Sequence, residues 1–250
     1  MGFNINGEKI EAGEMIYEGK AKRIMSVKGR EDLIWQVFKD SFTAFNGEKK
    51  ATMEGKGEVN CSIATLIYKH LEQQGIETHY EASSPPTIMV TQKLEMIPLE
   101  VVVRNVLAGS TAKKLGFEEG TPLKNPLVEF YYKKDDLGDP FISDDQAWML
   151  ETVRQKKDLD ILKNAALEVN KHLIKLFTKA QILLVDFKLE FGYDSKGNCL
   201  LADEISPDSC RLWDKETNEK MDKDRFRRDL GEVMEKYKEV LDRLQSVGDL

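Results

Sequence analysis

Cysteine is scarce in this chain. Cys61, Cys199 and Cys210 are odd in number and scattered, which excludes a disulfide framework and a closely spaced zinc motif and points to a reducing, cytoplasmic setting. Histidine is as rare. His70, His79 and His172 form no cluster, and His70 and His172 fall in helical patterns, so imidazole chemistry is not where a reaction would be sought. An excess of base is missing too: at a formal net charge of −7 the chain lacks the basic face that a nucleic-acid backbone demands. No apolar run approaches the ~20 residues of a membrane span, and the opening residues carry no signal-peptide pattern. Neither the G-x-x-x-x-G-K-[ST] phosphate loop nor the dinucleotide G-x-G-x-x-G fingerprint occurs, and there is no internal repeat. What is there is a chain of 250 residues, 41% of them hydrophobic, enough for one large domain or two small ones around an ample core.

The most telling segment is Leu184-Val185-Asp186-Phe187-Lys188-Leu189-Glu190-Phe191-Gly192. Strand alternation puts Val185, Phe187, Leu189 and Phe191 on one face and Asp186, Lys188 and Glu190 on the other. Acid, base, acid in a row is costly inside a protein unless the charges pair or bind something. Asp194 to Asn198 is a turn signal, and Cys199 to Ile205 reads as a second strand. With Ser195 and Lys196 at the tip, Lys188 falls opposite Asp203, and Glu190 opposite Leu201 and diagonal to Asp203. Two carboxylates beside a lysine suit a magnesium-bound polyphosphate, the oxygens holding the ion and the cation meeting phosphate. A cross-strand salt-bridge ladder uses the same residues, and the hairpin alone leaves both readings open.

Elsewhere the pattern predicts strands over 15–17, 23–27 and 33–38 and a helix from Val59 to Gln74. Strands over Thr87–Gln92 and Leu99–Asn105 flank Pro98, and a short helix is expected between Lys113 and Gly120. Asn125 to Pro140 reads as irregular and charged. A strong amphipathic helix is expected from Asp158 to Ala180, and a final one capped by Asp222, with Phe226, Leu230, Val233, Tyr237, Leu241 and Leu244 on its apolar side. Strands come first and helices dominate later, which argues α+β with two lobes. The boundary falls near Glu95–Pro98: residues 1–95 form a strand-rich lobe and 96–250 a larger one.

Several groups could carry chemistry. Gly19-Lys20-Ala21-Lys22 joins two early strands; glycine lets backbone approach a phosphate and the lysines neutralise it, although a basic hairpin tip has the same composition. Arg104 ends the apolar run Val101-Val102-Val103 and can grip an anion bidentately, with Gly109 and Ser110 nearby as donors. Asp203 to Arg211 places acids and Arg211 in a Pro-broken loop of the kind that often holds a site. Lys215, Lys220, Lys223, Arg225 and Arg227 form a dense charge run that reads mostly as a solvated face.

Taken together, these segments resemble the SAICAR synthetase family of purine biosynthesis. Ile97 to Ser110 and Leu184 to Gly192 match its signatures throughout, and Tyr17 to Lys22, Gly55-Lys56-Gly57, Lys133, Asp139-Pro140 and Asp203 to Asp214 look like it as well. The resemblance runs from about residue 14 to 244. It departs at Ser209, where many members carry Gly. The resemblance implies a two-lobed, ATP-grasp or kinase-like α+β fold, with an antiparallel-sheet N-terminal lobe, a larger mixed α/β lobe and an ATP cleft between them. It implies an ATP-dependent ligase that joins L-aspartate to the carboxylate of CAIR, the carboxylated aminoimidazole ribonucleotide, through an acyl phosphate. Lys188, Glu190 and Asp203 would be the catalytic residues. Gly19, Lys20, Ala21, Lys22, Lys93, Met96 and Lys188 would hold ATP, the link from Lys93 to Met96 touching adenine. Arg104, Ser110, Arg211, Asp186, Lys133 and Asp208 would meet substrate, and Glu190, Asp203 and Asp139 would bind magnesium. A homo-oligomer, with a dimer favoured, is also implied. A small-molecule kinase on the same plan, and a nucleotide-binding protein without catalysis, are the rival classes.

Overall fold

The structure is a computed structural model that describes residues 2–5, 7–44 and 47–248. The chain opens with β1 (Gly2–Ile5), β2 (Glu8–Glu18), β3 (Lys22–Val27), β4 (Arg30–Phe38), β5 (Ser41–Ala44) and β6 (Lys49–Thr52). Helix α1 (Lys56–Gln73) comes next, then β7 (Tyr80–Ser84), β8 (Ile88–Gln92) and β9 (Glu95–Met96). After these come β10 (Leu99–Leu107), α2 (Gly109–Leu115), β11 (Thr121–Tyr132), β12 (Phe141–Ile142), α3 (Asp144–Met149) and α4 (Asp158–Lys179). The last elements are β13 (Ile182–Tyr193), β14 (Cys199–Ala202), β15 (Cys210–Asp214), α5 (Asp224–Arg227) and α6 (Val233–Gln245).

Six strands from the first part form one antiparallel sheet in the order β1-β2-β3-β4-β8-β7. A second antiparallel sheet runs β12-β11-β10-β13-β14, and β9 and β15 also pair with β13. The mixed α/β composition with antiparallel sheets agrees with the expected class. The principal core lies between the second sheet and the helices. It includes Leu159, Leu162, Ala166, Val169, Leu173 and Leu176 of α4, and Ile63, Ile67 and Leu71 of α1, each fully buried leucine contributing about 2 kcal/mol. A separate cluster of Ile10, Val27, Leu33, Trp35, Ile88 and Val90 lies in the first sheet, with Phe3 of β1 packed on Trp35 at 5.4 Å between ring centroids.

Four expectations need correction. The first half of the stretch read as irregular, residues 125–132, belongs to β11, a strand only partly buried whose charges and prolines hide its alternation, while the second half is a loop as expected. The short helix starts earlier, at Gly109, and ends at Leu115. The final helix is broken: Asp222 accepts the Asp224 N–H at 2.7 Å at the start of α5, and the chain then turns at Asp229, Gly231 and Glu232, all at positive φ, before α6 begins. The hairpin register differs by one residue. Gly197, at φ 86, supports a loop closed by Asp194 and Asn198, so Glu190 pairs with Ala202 and Phe191 with Leu201. A slip against β15 between Leu184 and Asp186 also moves Val185 into a small cluster with Val106, Ala108 and Trp213.

Strand β13 has two different partners along one edge. β15 pairs with residues 182–187 and β14 with residues 190–193. Between them the ladder opens at Lys188 and Leu189, and the segment 203–209 leaves the sheet there, held by the Lys188 N–H to Ser209 carbonyl bond at 2.9 Å.

Candidate active site

A cavity of about 370 Å³ lies over this opening, lined by Lys20, Glu100, Arg104, Asp186, Lys188, Asp208, Arg211, Lys223 and Arg227 among others. The charged row of β13 faces it because Asp186 and Lys188 alternate with the core residues Phe187 and Leu189.

One wall is set by strand register. Arg104 of β10 and Arg211 of β15 both lie directly across from Asp186. Arg104 donates to Asp186 Oδ2 at 2.6 Å, to Glu129 at 2.6 Å and to the Tyr131 hydroxyl at 3.1 Å. Arg211 donates to Asp186 at 2.8 Å and to Asp224 at 3.0 Å. Two guanidiniums thus share three carboxylates, Glu129, Asp186 and Asp224, which fix their planes toward the cavity. Ser110 is exposed at the start of α2.

The other wall interleaves lysines and carboxylates. Lys188 donates to Glu190 at 2.7 Å and lies 3.3 Å from Glu100 and 3.4 Å from Asp203. Lys22, from the first sheet, donates to Asp203 at 2.5 Å and lies 3.4 Å from Glu204, and Lys133 donates to Glu190. Asp203 reaches this face despite the shifted register because its backbone is left-handed, at φ 62. Burial alone would lower Lys22 and Lys188, but Asp203, Glu204 and Glu190 around the first, and Glu190, Asp203 and Glu100 around the second, outweigh it and raise both ammonium groups above the usual lysine range. Burial likewise opposes ionisation of Asp203, yet Lys22 and Lys188 hold it well below the usual carboxylate range.

Of the glycine turn, Lys22 joins this wall and Lys20 lines the cavity while pairing with exposed Asp135 at 3.0 Å. Gly19 and Ala21 serve through backbone: the Gly19 N–H reaches the Lys22 carbonyl at 2.8 Å, and the Ala21 carbonyl accepts from Lys39 at 2.8 Å. Lys93 and Met96 are exposed on the link between the two sheets, outside the cavity lining. Asp139 is turned to its own loop, accepting the Lys134 N–H at 2.8 Å. Among the described residues no three His, Cys, Asp or Glu side chains converge as a metal site.

The charge run after β15 is not a solvated face throughout. Arg225 is buried on backbone carbonyls of Leu230 and Gly231, while Lys223 and Arg227 line the cavity. Lys223 has no ion-pair partner among the described residues, and burial, with Arg227 and Lys56, lowers its pKa although Asp208 opposes this. Asp208, at the cavity lining, turns its carboxylate inward, 2.5 Å from the ammonium of the fully buried Lys56 and accepting from the Tyr237 hydroxyl at 2.8 Å. The sequence assigns no site role to Lys56, Tyr237, Glu100, Glu129 or Asp224, although Gly55-Lys56-Gly57 carries part of the resemblance. The one available signal was a lysine between two glycines at the head of an apolar helix. His79 is buried, and burial with nearby Lys22 brings it down to about 3, a neutral ring.

A cavity whose walls interleave arginines, lysines and carboxylates, beside an antiparallel sheet that contributes one lysine, suits an enzyme of anionic substrates. Residues 15–244 match the family model described as SAICAR synthetase, and the chain belongs to that family. It is 54% identical over 234 residues to phosphoribosylaminoimidazole-succinocarboxamide synthase of Nautilia profundicola, covering 94% of this chain and 99% of that relative. To the Bacillus subtilis protein of the same description it is 50% identical over 238 residues, covering 95% and 98%. A solved structure described as SAICAR synthetase (Type-2) in complex with ADP superposes with a TM-score of 0.88 at 44% identity, covering 94% of this chain and 98% of that one. The Ehrlichia chaffeensis phosphoribosylaminoimidazole-succinocarboxamide synthase gives 0.89 at 42%, covering 94% and 100%.

Proposed function

We propose that this chain is an ATP-dependent carbon–nitrogen ligase that joins L-aspartate to the carboxylate of CAIR, giving SAICAR, ADP and phosphate. The observation that carries the reading is the pair of opposed walls: Arg104 and Arg211 clamped on Asp186, against Lys22 and Lys188 interleaved with Glu190 and Asp203. Family membership supplies the substrates, and the bound ADP of one relative supports nucleotide use.

In this reading the guanidinium wall receives the ribonucleotide phosphate, for which planar bidentate donors are suited. The lysine wall receives the nucleotide phosphates. The CAIR carboxylate attacks the γ-phosphorus, ADP leaves, and an acyl phosphate forms; the aspartate amine then attacks the carbonyl carbon, loses a proton, and phosphate departs. Such transfer asks the protein mainly for position and charge. Magnesium fits the residues present. Glu190 and Asp203 face lysines that a phosphate could take over, and buried Glu204 Oε2 has only the Lys22 ammonium beside it, at 3.4 Å, with no hydrogen bond made. Magnesium is commonly held by one or two carboxylates plus substrate phosphates, and when bound it neutralises charge on the transferred group. We read the chain as two lobes, residues 1–95 and 96–250, with the nucleotide between them in an ATP-grasp or kinase-like manner. Cytoplasmic residence suits the free Cys199, which is partly exposed, and no helix among the described residues is long and apolar enough to cross a membrane. A dimer would use a face other than α6, such as that of exposed Trp148 and Met149.

The test is ADP release from magnesium-ATP with CAIR and L-aspartate, together and with each omitted. SAICAR and ADP appearing only with both supports the ligase. ADP from CAIR alone, without amide, would move the assignment to a kinase.

A further inference from the structure

Asp203, at φ 62, occupies a left-handed backbone region that few non-glycine residues adopt and that persists only where its surroundings hold it. Those surroundings come from a part of the chain with no side chain in the cavity lining. The Tyr68 hydroxyl of α1, fully buried, donates to the carbonyl of Ala202 at 3.0 Å. The His79 N–H donates to the Leu201 carbonyl at 2.9 Å, and the Leu201 N–H reaches the Glu77 carbonyl at 3.2 Å. Thr78 and Leu201 form an isolated parallel bridge. The tail of β14 is thus gripped on both edges, by β13 on one side and by residues 77–79 on the other. The Tyr68 and His79 rings meet edge to face at 5.4 Å, filling the space behind the strand end.

We propose that Tyr68 and His79 are positioning residues for the nucleotide–magnesium site, holding residues 201–202 so that Asp203 stays left-handed with its carboxylate on Lys22 and Lys188. The proposal rests on the reading of Asp203 as a magnesium ligand. Its physical content is that the last carbonyl before Asp203 has a fixed donor. Remove that donor and the peptide linking Ala202 to Asp203 can rotate, which turns the carboxylate away from the lysines.

Tyr68→Phe removes one oxygen and keeps the ring. ADP binding to the intact protein, measured by calorimetry with magnesium and again with a chelator, separates the metal-dependent part of the affinity. Tyr68→Phe should reduce that part about three- to tenfold, the range set by one hydrogen bond, leave ADP binding in chelator unchanged, and leave the KM for L-aspartate unchanged. In an Asp203→Asn background the same substitution should have no further effect, because the two act through one group. A loss of thermal stability with no change in metal-dependent affinity would overturn the proposal by leaving Tyr68 a purely structural role. An equal effect in both backgrounds would also overturn it. If Asp203→Asn itself leaves metal-dependent binding intact, the magnesium reading of Asp203 falls and this inference with it, whereas SAICAR formation by the unaltered protein tests the ligase reading separately.

Discussion

Arg104 illustrates how fully a side chain here can be committed: its guanidinium is taken up by Glu129, Asp186 and Tyr131. Arg104→Ala should raise the KM for CAIR about 10- to 100-fold, as expected for lost hydrogen bonds to a charged group, and shift the KM for ATP far less. Equal shifts in the two KM values would count against the phosphate role. The thermal midpoint should fall as well, since Glu129 loses its partner in a buried setting. Lys223 is the opposite case, a cavity cation with no ion pair among the described residues and a lowered pKa. A lysine keeps its charge below its pKa, so anion binding that uses Lys223 should weaken as pH rises through that lowered value, before ordinary lysines lose their charge. KM values for CAIR and L-aspartate tracked against pH should show this for one substrate, and Lys223→Gln should abolish the trend. The charged row of β13 was legible because alternation announces which residues share a face. The pairing of Lys56, Asp208 and Tyr237 was not, although Asp208 was expected at the substrate, because its members lie far apart in sequence and nothing local joins them.

At the scale of elements, α1 begins where backbone passes close to backbone. A Cβ on Gly57 would stand 2.7 Å from the Phe38 carbonyl oxygen, and the Gly57 N–H donates to Asp40 at 2.9 Å. Gly57→Ala should therefore destabilise the protein by about 1–3 kcal/mol, the cost of an overpacked site, measured by chemical denaturation, and should lower activity by displacing the neighbouring Lys56. Helix α4 was readable from its apolar period over six buried positions. The break before α6 was not, because Glu232 carries no sequence signal for the left-handed conformation it adopts. An apolar stripe on the last helix wider than one core face needs would have supported a homo-oligomer. Val233, Tyr237, Val240 and Leu244 instead face the main core, with Met234 and Leu241 packed beside them.

For the whole molecule, pH acts through Asp222. It is fully buried, and burial together with Asp224 raises it from 3.8 to about 7, although it accepts the backbone N–H groups of Leu212 and Asp224. The folded state then holds a proton that the unfolded chain has already released, so this residue's contribution to stability falls as pH rises from about 4 to about 7 and is level above. Asp222→Asn should flatten that part of the stability profile in denaturant titrations at pH 5 and pH 8. An unaltered slope would mean that Asp222 is ionised throughout.

The lysine wall also has a thermodynamic consequence. Its cations and carboxylates neutralise one another, Lys22 of the first sheet on Asp203 and Lys188 on Glu190 of its own strand. A polyphosphate arriving alone would claim the lysines and strand the carboxylates, and a divalent ion arriving alone would do the converse. Only together do they replace every broken pair with a new one. With metal and nucleotide bound there as proposed, the two would be linked ligands, each raising the affinity of the other by the same factor, and the resting salt bridges would set how large that cooperativity is.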